Sequence, residues 1–371
     1  MAASVERLIR ALVDVHSGAV WASTSPVAVD GDSWTLLLWQ VQEQGVHWQT
    51  LVSDGGKAIE DAAATVAPEA VHQRDVWHVL HACQQVQARL DRLVERLKAQ
   101  TATVARQAAR LAAGKRARGR HPKSDVATHA AELAQAQYAA ESVGYLSAEL
   151  QRLLSVVVLA SQPAQGVLCW AVRQQELETV LVLLDELQPL VPATLQTDVA
   201  NLLTHLQAAL PQLVLFAPPL DALQEQVGHE LGVQTLHLLG WAWQRRAILG
   251  KNRAELLANL PPTWRTAAEP LLRAWDEAVR ASSAVENWHS ILRPYLAVHR
   301  SLSTGLLALL AVWHNHRIAQ RGLHQGQSPL MRSGMTDVAS DWLLASGYPP
   351  QGLALLPESA AQPELLLALA A

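Results

Sequence analysis

A chain of 371 residues, half of them hydrophobic, is long enough to bury a large core, and its length suggests roughly two or three domains. Its net charge of −4 excludes a uniformly basic coat for nucleic acid, so any phosphate contact must rest on local clusters of Lys and Arg. Two cysteines exclude a disulfide framework and a four-thiolate zinc site; no run is long and apolar enough to span a bilayer, and the N-terminus lacks a signal-peptide pattern, so a cytoplasmic protein without membrane contact is expected.

Residues 8 to 22, LIRALVDVHSGAVWA, form two apolar runs around His16-Ser17-Gly18, the pattern of a hairpin. Asp14 falls among Leu12, Val13 and Val15. A carboxylate in mid-strand is costly to bury unless something pairs with it or coordinates it, which makes Asp14 a candidate metal ligand. Asp30 and Asp32 read as turn residues and a helix cap ahead of a helix over 33 to 44. The next stretch, WQTLVS at 48 to 53, alternates as a short buried strand does and ends in Asp54-Gly55-Gly56. That puts an acid at a strand's carboxyl end, the edge where ligands bind in open α/β sheets. Lys57 to Val66 has helical spacing, with Ile59, Ala62, Ala63 and Val66 on one side, and a short apolar piece at Ala70-Val71 then leads to Asp75-Val76-Trp77-His78. Asp75 also fits the N-cap of a following helix.

Beyond His78 the period becomes helical for about 200 residues. Val86, Leu90, Leu93 and Leu97 mark one face of a first long helix, another begins near Asp125, and further helical segments follow at about 164 to 190, 193 to 209, 219 to 228 and 230 to 250, punctuated by prolines that include Pro211. Cys83 and Cys169 read as reduced core residues, because His78 and His81 near Cys83 lack further zinc ligands at usual spacing. A basic cluster contains Arg106, Arg110, Arg116, Arg118, Arg120 and Lys123; it is either a solvated loop or a contact to a DNA backbone, and the smaller run with Arg245 and Arg246 has the same two readings. Trp170, Trp241, Trp243, Trp264 and Trp275 are expected to pack in the core, with stacking on a base open for one of them. In ASSAVENWHSILRPYL, residues 281 to 296, Val285, Trp288 and Leu292 share one helical face while Glu286, Ser290 and Arg293 follow on a neighbouring one; Pro294 is expected to stop that helix, and a second runs from 302 to 318.

Taken together, Asp14, SDGG at 53 to 56, DVWH at 75 to 78, and the run from SAVENWHSILRPYL through HNHR to QSPL resemble the core of bacterial DDE transposases, with Asp75-x-x-His78 similar to the C/D-x-x-H motif of the Mutator-like and related groups. The resemblance implies an α/β, RNase H-like mixed sheet interrupted by a large all-α insertion. Its divisions are a first core part at 1–80, the insertion at 81–275, core completion with the Glu helix at 276–335, and a tail at 336–371. It implies a catalytic and metal-binding triad of Asp14, Asp54 and Glu286, with Asp14 and Asp54 on neighbouring strands. Asp276 and Glu277 are fallbacks for the third position, and Asp75 and His78 are supporting residues. Two Mg²⁺ or Mn²⁺ ions, DNA at the element ends and target, and a homo-oligomer on DNA belong to the same expectation, with Arg116, Arg118, Arg120, Lys123, Arg245, Arg246 and Arg293 as candidate DNA contacts. No recognition helix or zinc-binding motif precedes the first strand, so a truncated element, or one served by a separate DNA-binding part, is expected. The alternatives are an inactive transposase-derived DNA-binding or assembly protein and an RNase H-like nuclease.

Overall fold

A computed structural model describes residues 9–25, 30–114, 125–246, 248, 252–280, 282–299, 302–321, 324–339 and 341–347. In chain order these form β1 (Arg10–Val13), β2 (Val20–Thr24), α1 (Gly31–Gln42), β3 (Thr50–Ser53), α2 (Lys57–Val66), β4 (Val71–Arg74), α3 (Val76–Ala112), α4 (Val126–Leu153), α5 (Trp170–Leu187), α6 (Gln196–Leu213), α7 (Pro218–Leu231), α8 (Val233–Arg245), α9 (Arg253–Ala258), α10 (Pro262–Glu277), α11 (Ser283–Val298), α12 (Thr304–His316), α13 (Pro329–Arg332) and α14 (Trp342–Ala345). The described chain is mostly helical, with a small α/β component.

Local chemistry sets many of these bounds. Asp30 caps α1 by accepting the Ser33 N–H, Asp75 caps α3 through the Trp77 N–H, and Asp125 caps α4 through the Thr128 N–H. Prolines are less decisive. Pro218 and Pro262 occupy first helical positions, where their missing N–H costs little. Pro211 and Pro294 instead lie inside α6 and α11, so the expected stop at Pro294 is corrected: α11 continues to Val298. The face carrying Trp288 and Leu292 remains buried, and that packing outweighs the helical hydrogen bond lost at the proline.

The chain divides into two units, each with its own core. The first contains residues 1–49, 56–70 and 282–371. Here β1 and β2 form an antiparallel hairpin, as the apolar runs suggest. Ala11 and Val20 pack with Trp288 and Leu292 of α11 and with Leu307, Leu310 and Ala311 of α12. The Trp288 Nε1–H donates to Ser23 Oγ at 3.1 Å, tying α11 to β2 across 265 positions of sequence.

The second unit contains residues 50–55 and 71–281. Its strands β3 and β4 are parallel, Thr50 opposite Val71 and Ser53 opposite Arg74. A core from Val76 to Val214 joins α3, α4, α5 and α6, and a second cluster is centred on Leu271, Leu272 and Trp275 of α10 with Val227, Leu239 and Trp243. Each such buried side chain contributes ~1.5–3 kcal/mol. The carboxyl end of α4 is closed by two arginines, Arg173 fully buried and Arg280 partly so. Arg173 donates from Nε to the Leu153 carbonyl at 3.0 Å and from Nη2 to the Ser155 carbonyl at 2.6 Å, and Arg280 donates to the Leu154 carbonyl at 2.8 Å. These guanidiniums satisfy carbonyls that a helix end leaves without partners. Burial pulls the Arg173 value down to about 10.

Some expectations require correction. The ladders join β1 to β2 and β3 to β4, so the described residues contain no β1–β3 pairing to make Asp14 and Asp54 neighbours. Cys83 is buried, but Cys169 is exposed at the start of α5 and is not a core residue. Trp243 and Trp275 are buried, whereas Trp241 is exposed.

Candidate active site

In the second unit, parallel pairing of β3 and β4 brings their carboxyl ends to one edge, where Asp54 follows β3 and Asp75 follows β4. The Asp75 N–H donates to the Ser53 carbonyl at 2.7 Å, carrying the ladder one residue past β4. The turn after Asp54 requires glycine at its next position. Gly55 has φ +79°, and the guanidinium of Arg74 fills the space a Cβ would take. That guanidinium also donates to the Gly55 carbonyl at 3.3 Å, and the Ser53 hydroxyl accepts the Gly55 N–H at 3.2 Å. Asp54 itself is exposed.

The DVWH motif divides its labour. Asp75 is buried, and its Oδ1 accepts the Trp77 N–H at 2.7 Å, where the positive end of α3 favours a carboxylate. Its Oδ2 lies 3.8 Å from His78 Nε2, near enough for attraction to a protonated ring but too far for a hydrogen bond. Trp77 is exposed and stacks on His81 at a centroid distance of 4.8 Å. His205, on α6, is held below the usual imidazole value by burial first and then by the positive charges of Arg74 and His78. The edge beside Asp54 therefore gathers cationic and imidazole groups suited to an anionic ligand such as phosphate.

Asp14 and Glu286 belong to the first unit. Asp14 does not sit in mid-strand; it is the residue after β1, and its carboxylate accepts the His16 and Ser17 N–H groups, each at 3.2 Å, and the Ser17 hydroxyl. This turn supplies the partners whose supposed lack made Asp14 conspicuous. Arg332, from α13, lies near enough to Asp14 to feel its charge, although burial is the larger influence and lowers the Arg332 value. Glu286 sits in the first turn of α11, exposed, with Arg293 Nη2 at 3.9 Å. A surface pair of that length is worth ~0–1 kcal/mol, leaving the carboxylate accessible to other partners.

The remaining candidates have structural employment or lie outside the described residues. Asp276 Oδ1 accepts Trp243 Nε1–H at 2.9 Å and lies 3.1 Å from Arg246, and Oδ2 is 3.8 Å from Arg253. Arg246 also lies over the Trp243 ring at 3.8 Å. Arg246 and Asp276 thus brace α8 against α10, which accounts for both without DNA or metal. Arg245 lies over the exposed Trp241 at 4.6 Å. Arg116, Arg118, Arg120 and Lys123 fall outside the described residues.

Hard oxygen donors such as these three carboxylates suit Mg²⁺ or Mn²⁺, although among the described residues no three His, Cys, Asp or Glu side chains are grouped to hold one ion. Arg74, His205 and Arg332 were not singled out from the sequence. Arg74 carried a weak signal as a charged residue in a short strand before Asp75, whereas nothing local marked His205. Comparisons with protein-family models, curated proteins and solved structures find no match to this chain.

Proposed function

We propose that this chain is the core of a DDE-type DNA transposase, or derives from one, with an RNase H-like fold interrupted by the helices from α3 to α10. On this reading it cuts DNA strands at the ends of an insertion sequence and joins them to a target, acting as an oligomer on DNA. The observation that carries the reading is the packing of α11 on the β1–β2 hairpin. Two parts of the chain separated by the whole helical block build one unit, with Asp14 just after the first strand and Glu286 in the first turn of the helix. The placement of Asp54 at the carboxyl edge of a parallel pair adds to this support.

On this reading Asp14, Asp54 and Glu286 are the carboxylates that would ligate Mg²⁺ or Mn²⁺, two ions in all, and the ions would supply Lewis-acid chemistry for an in-line displacement at a phosphodiester. In the same reading Arg74 provides the positive charge that holds a DNA phosphate near Asp54, with His205, whose ring is kept neutral by burial and neighbouring charge, and His78 as imidazole hydrogen-bonding groups beside it. The test is strand nicking of duplex DNA bordering the reading frame, with Mg²⁺ or Mn²⁺, by wild type and by Asp54→Asn. Equal nicking by the two proteins would defeat the catalytic assignment.

A second reading, a transposase-derived protein that holds DNA without cutting it, is favoured by the environment of Asp14. Its carboxylate is engaged by three hydrogen-bond donors and has Arg332 nearby. Retained DNA binding by a wild type that nicks with neither metal would support this reading.

A further inference from the structure

Away from the three acids, the helical unit contains a concave pocket of about 520 Å³, lined by the chain leading into α5 and by residues of α7 and α8. Two neighbouring side chains of α7 give it chemical character. Asp221 Oδ2 accepts the Trp170 N–H at 2.6 Å at the start of α5, while Oδ1 is buried with no hydrogen-bond partner among the described residues. One turn on, Gln224 is 5% exposed and its Oε1 is likewise buried without a partner. Residues three apart share a helix face, so the two side chains stand next to each other on α7, and both line the pocket. Glu225 adds a second carboxylate to the lining, and Val167, Val233 and Leu236 supply apolar wall.

A buried acceptor without a donor costs ~1–3 kcal/mol, and two in one pocket call for an occupant that donates hydrogen bonds. The cation that faces Asp221 does not meet this need, because Arg173 directs its donors to the Leu153 and Ser155 carbonyls. Burial raises the Asp221 carboxyl above its ordinary value, a cost that a bound cation would relieve. We propose that this pocket binds a small organic cation, an alkylguanidinium whose planar fork donates to Asp221 Oδ1 and Gln224 Oε1 while its apolar stem lies along Val167, Val233 and Leu236. Guanidinium matches paired oxygen acceptors because its N–H groups diverge in one plane and its charge is weakly hydrated. The source is a free metabolite or the arginine side chain of a partner protein, since both present the same head.

Calorimetric titration of the full chain with n-butylguanidinium tests the proposal, with n-butylurea as the neutral isostere. Saturable binding of the cation is expected, at least ~10-fold tighter than the urea. Asp221→Asn retains an oxygen for the Trp170 N–H but removes the charge, and Gln224→Leu removes the second acceptor without leaving a void; each should weaken binding at least ~10-fold. Unchanged far-ultraviolet circular dichroism and urea midpoints establish that each variant is folded. Binding of acetyl-arginine-methylamide as tight as that of n-butylguanidinium would assign the arginine source, and preference for the free cation would assign the metabolite. No saturable binding of either cation at ~10 mM, or wild-type affinity in both folded variants, would overturn the proposal. The outcome is independent of whether the chain cuts DNA.

Discussion

Asn315 reaches from α12 to the backbone of Val20 with both ends of its amide. Its Oδ1 accepts the Val20 N–H at 2.8 Å, and its Nδ2 donates to the Val20 carbonyl at 2.9 Å. A side chain thereby satisfies strand backbone as a neighbouring strand would, and it fixes α12 against β2 from 295 positions away. Asn315→Leu removes both bonds and strands a buried N–H and a buried carbonyl, so stability of the first unit should fall by ~2–4 kcal/mol. Urea unfolding followed by Trp fluorescence measures this loss.

At the Asp54 turn, Gly55→Ala meets both a positive φ and the Arg74 guanidinium. A destabilisation of ~1–3 kcal/mol is expected. Arg74→Ala in the same chain should recover the steric part of that loss and leave the backbone part. A double-mutant cycle by chemical unfolding separates the two, and full additivity would contradict the contact.

Two cysteines should differ sharply in reactivity. Burial drives the Cys83 thiol up to about 11, whereas Cys169 is exposed. A thiolate is the reactive species, so iodoacetamide at neutral pH should modify Cys169 in the native chain and reach Cys83 only on unfolding. Peptide mass mapping before and after denaturant gives the result directly.

His314 is held below the ordinary imidazole value, chiefly by burial, while its Nε2 sits 3.0 Å from the Gly18 carbonyl. His289 is lowered as well, again chiefly by burial. The unfolded chain therefore binds more protons than the folded one as pH falls. The stability these neutral rings contribute is full above about pH 6.5 and is lost as pH drops through that value towards their depressed folded values. Urea midpoints at pH 8 and pH 5.5 should differ, and His314→Gln should reduce the difference.

What the sequence made legible was mostly local. The hairpin around His16-Ser17-Gly18, the helix over Lys57–Val66 and the caps at Asp30, Asp75 and Asp125 all depend on residues within a few positions of one another. The hidden features depend on distant partners. Two exceptions are local: the His16 and Ser17 N–H groups give Asp14 its partners within one turn, and the burial of Trp288 and Leu292 carries α11 past Pro294. Asp276 is engaged by Trp243, 33 positions away in sequence, and by Arg246 at a similar separation, so no local pattern marks it. No local pattern could have announced Asn315 on Val20 or His205 beside Arg74 and His78.

The most direct test of shared metal-dependent chemistry is a ligand exchange at Asp54. A thiolate binds Mg²⁺ poorly and Mn²⁺ better, so nicking by Asp54→Cys should be lost with Mg²⁺ and return in part with Mn²⁺, while Asp14→Asn and Glu286→Gln, equally folded, lose activity with Mg²⁺. Wild-type nicking rates in all three variants with Mg²⁺ would contradict the assignment of these acids to one catalytic site.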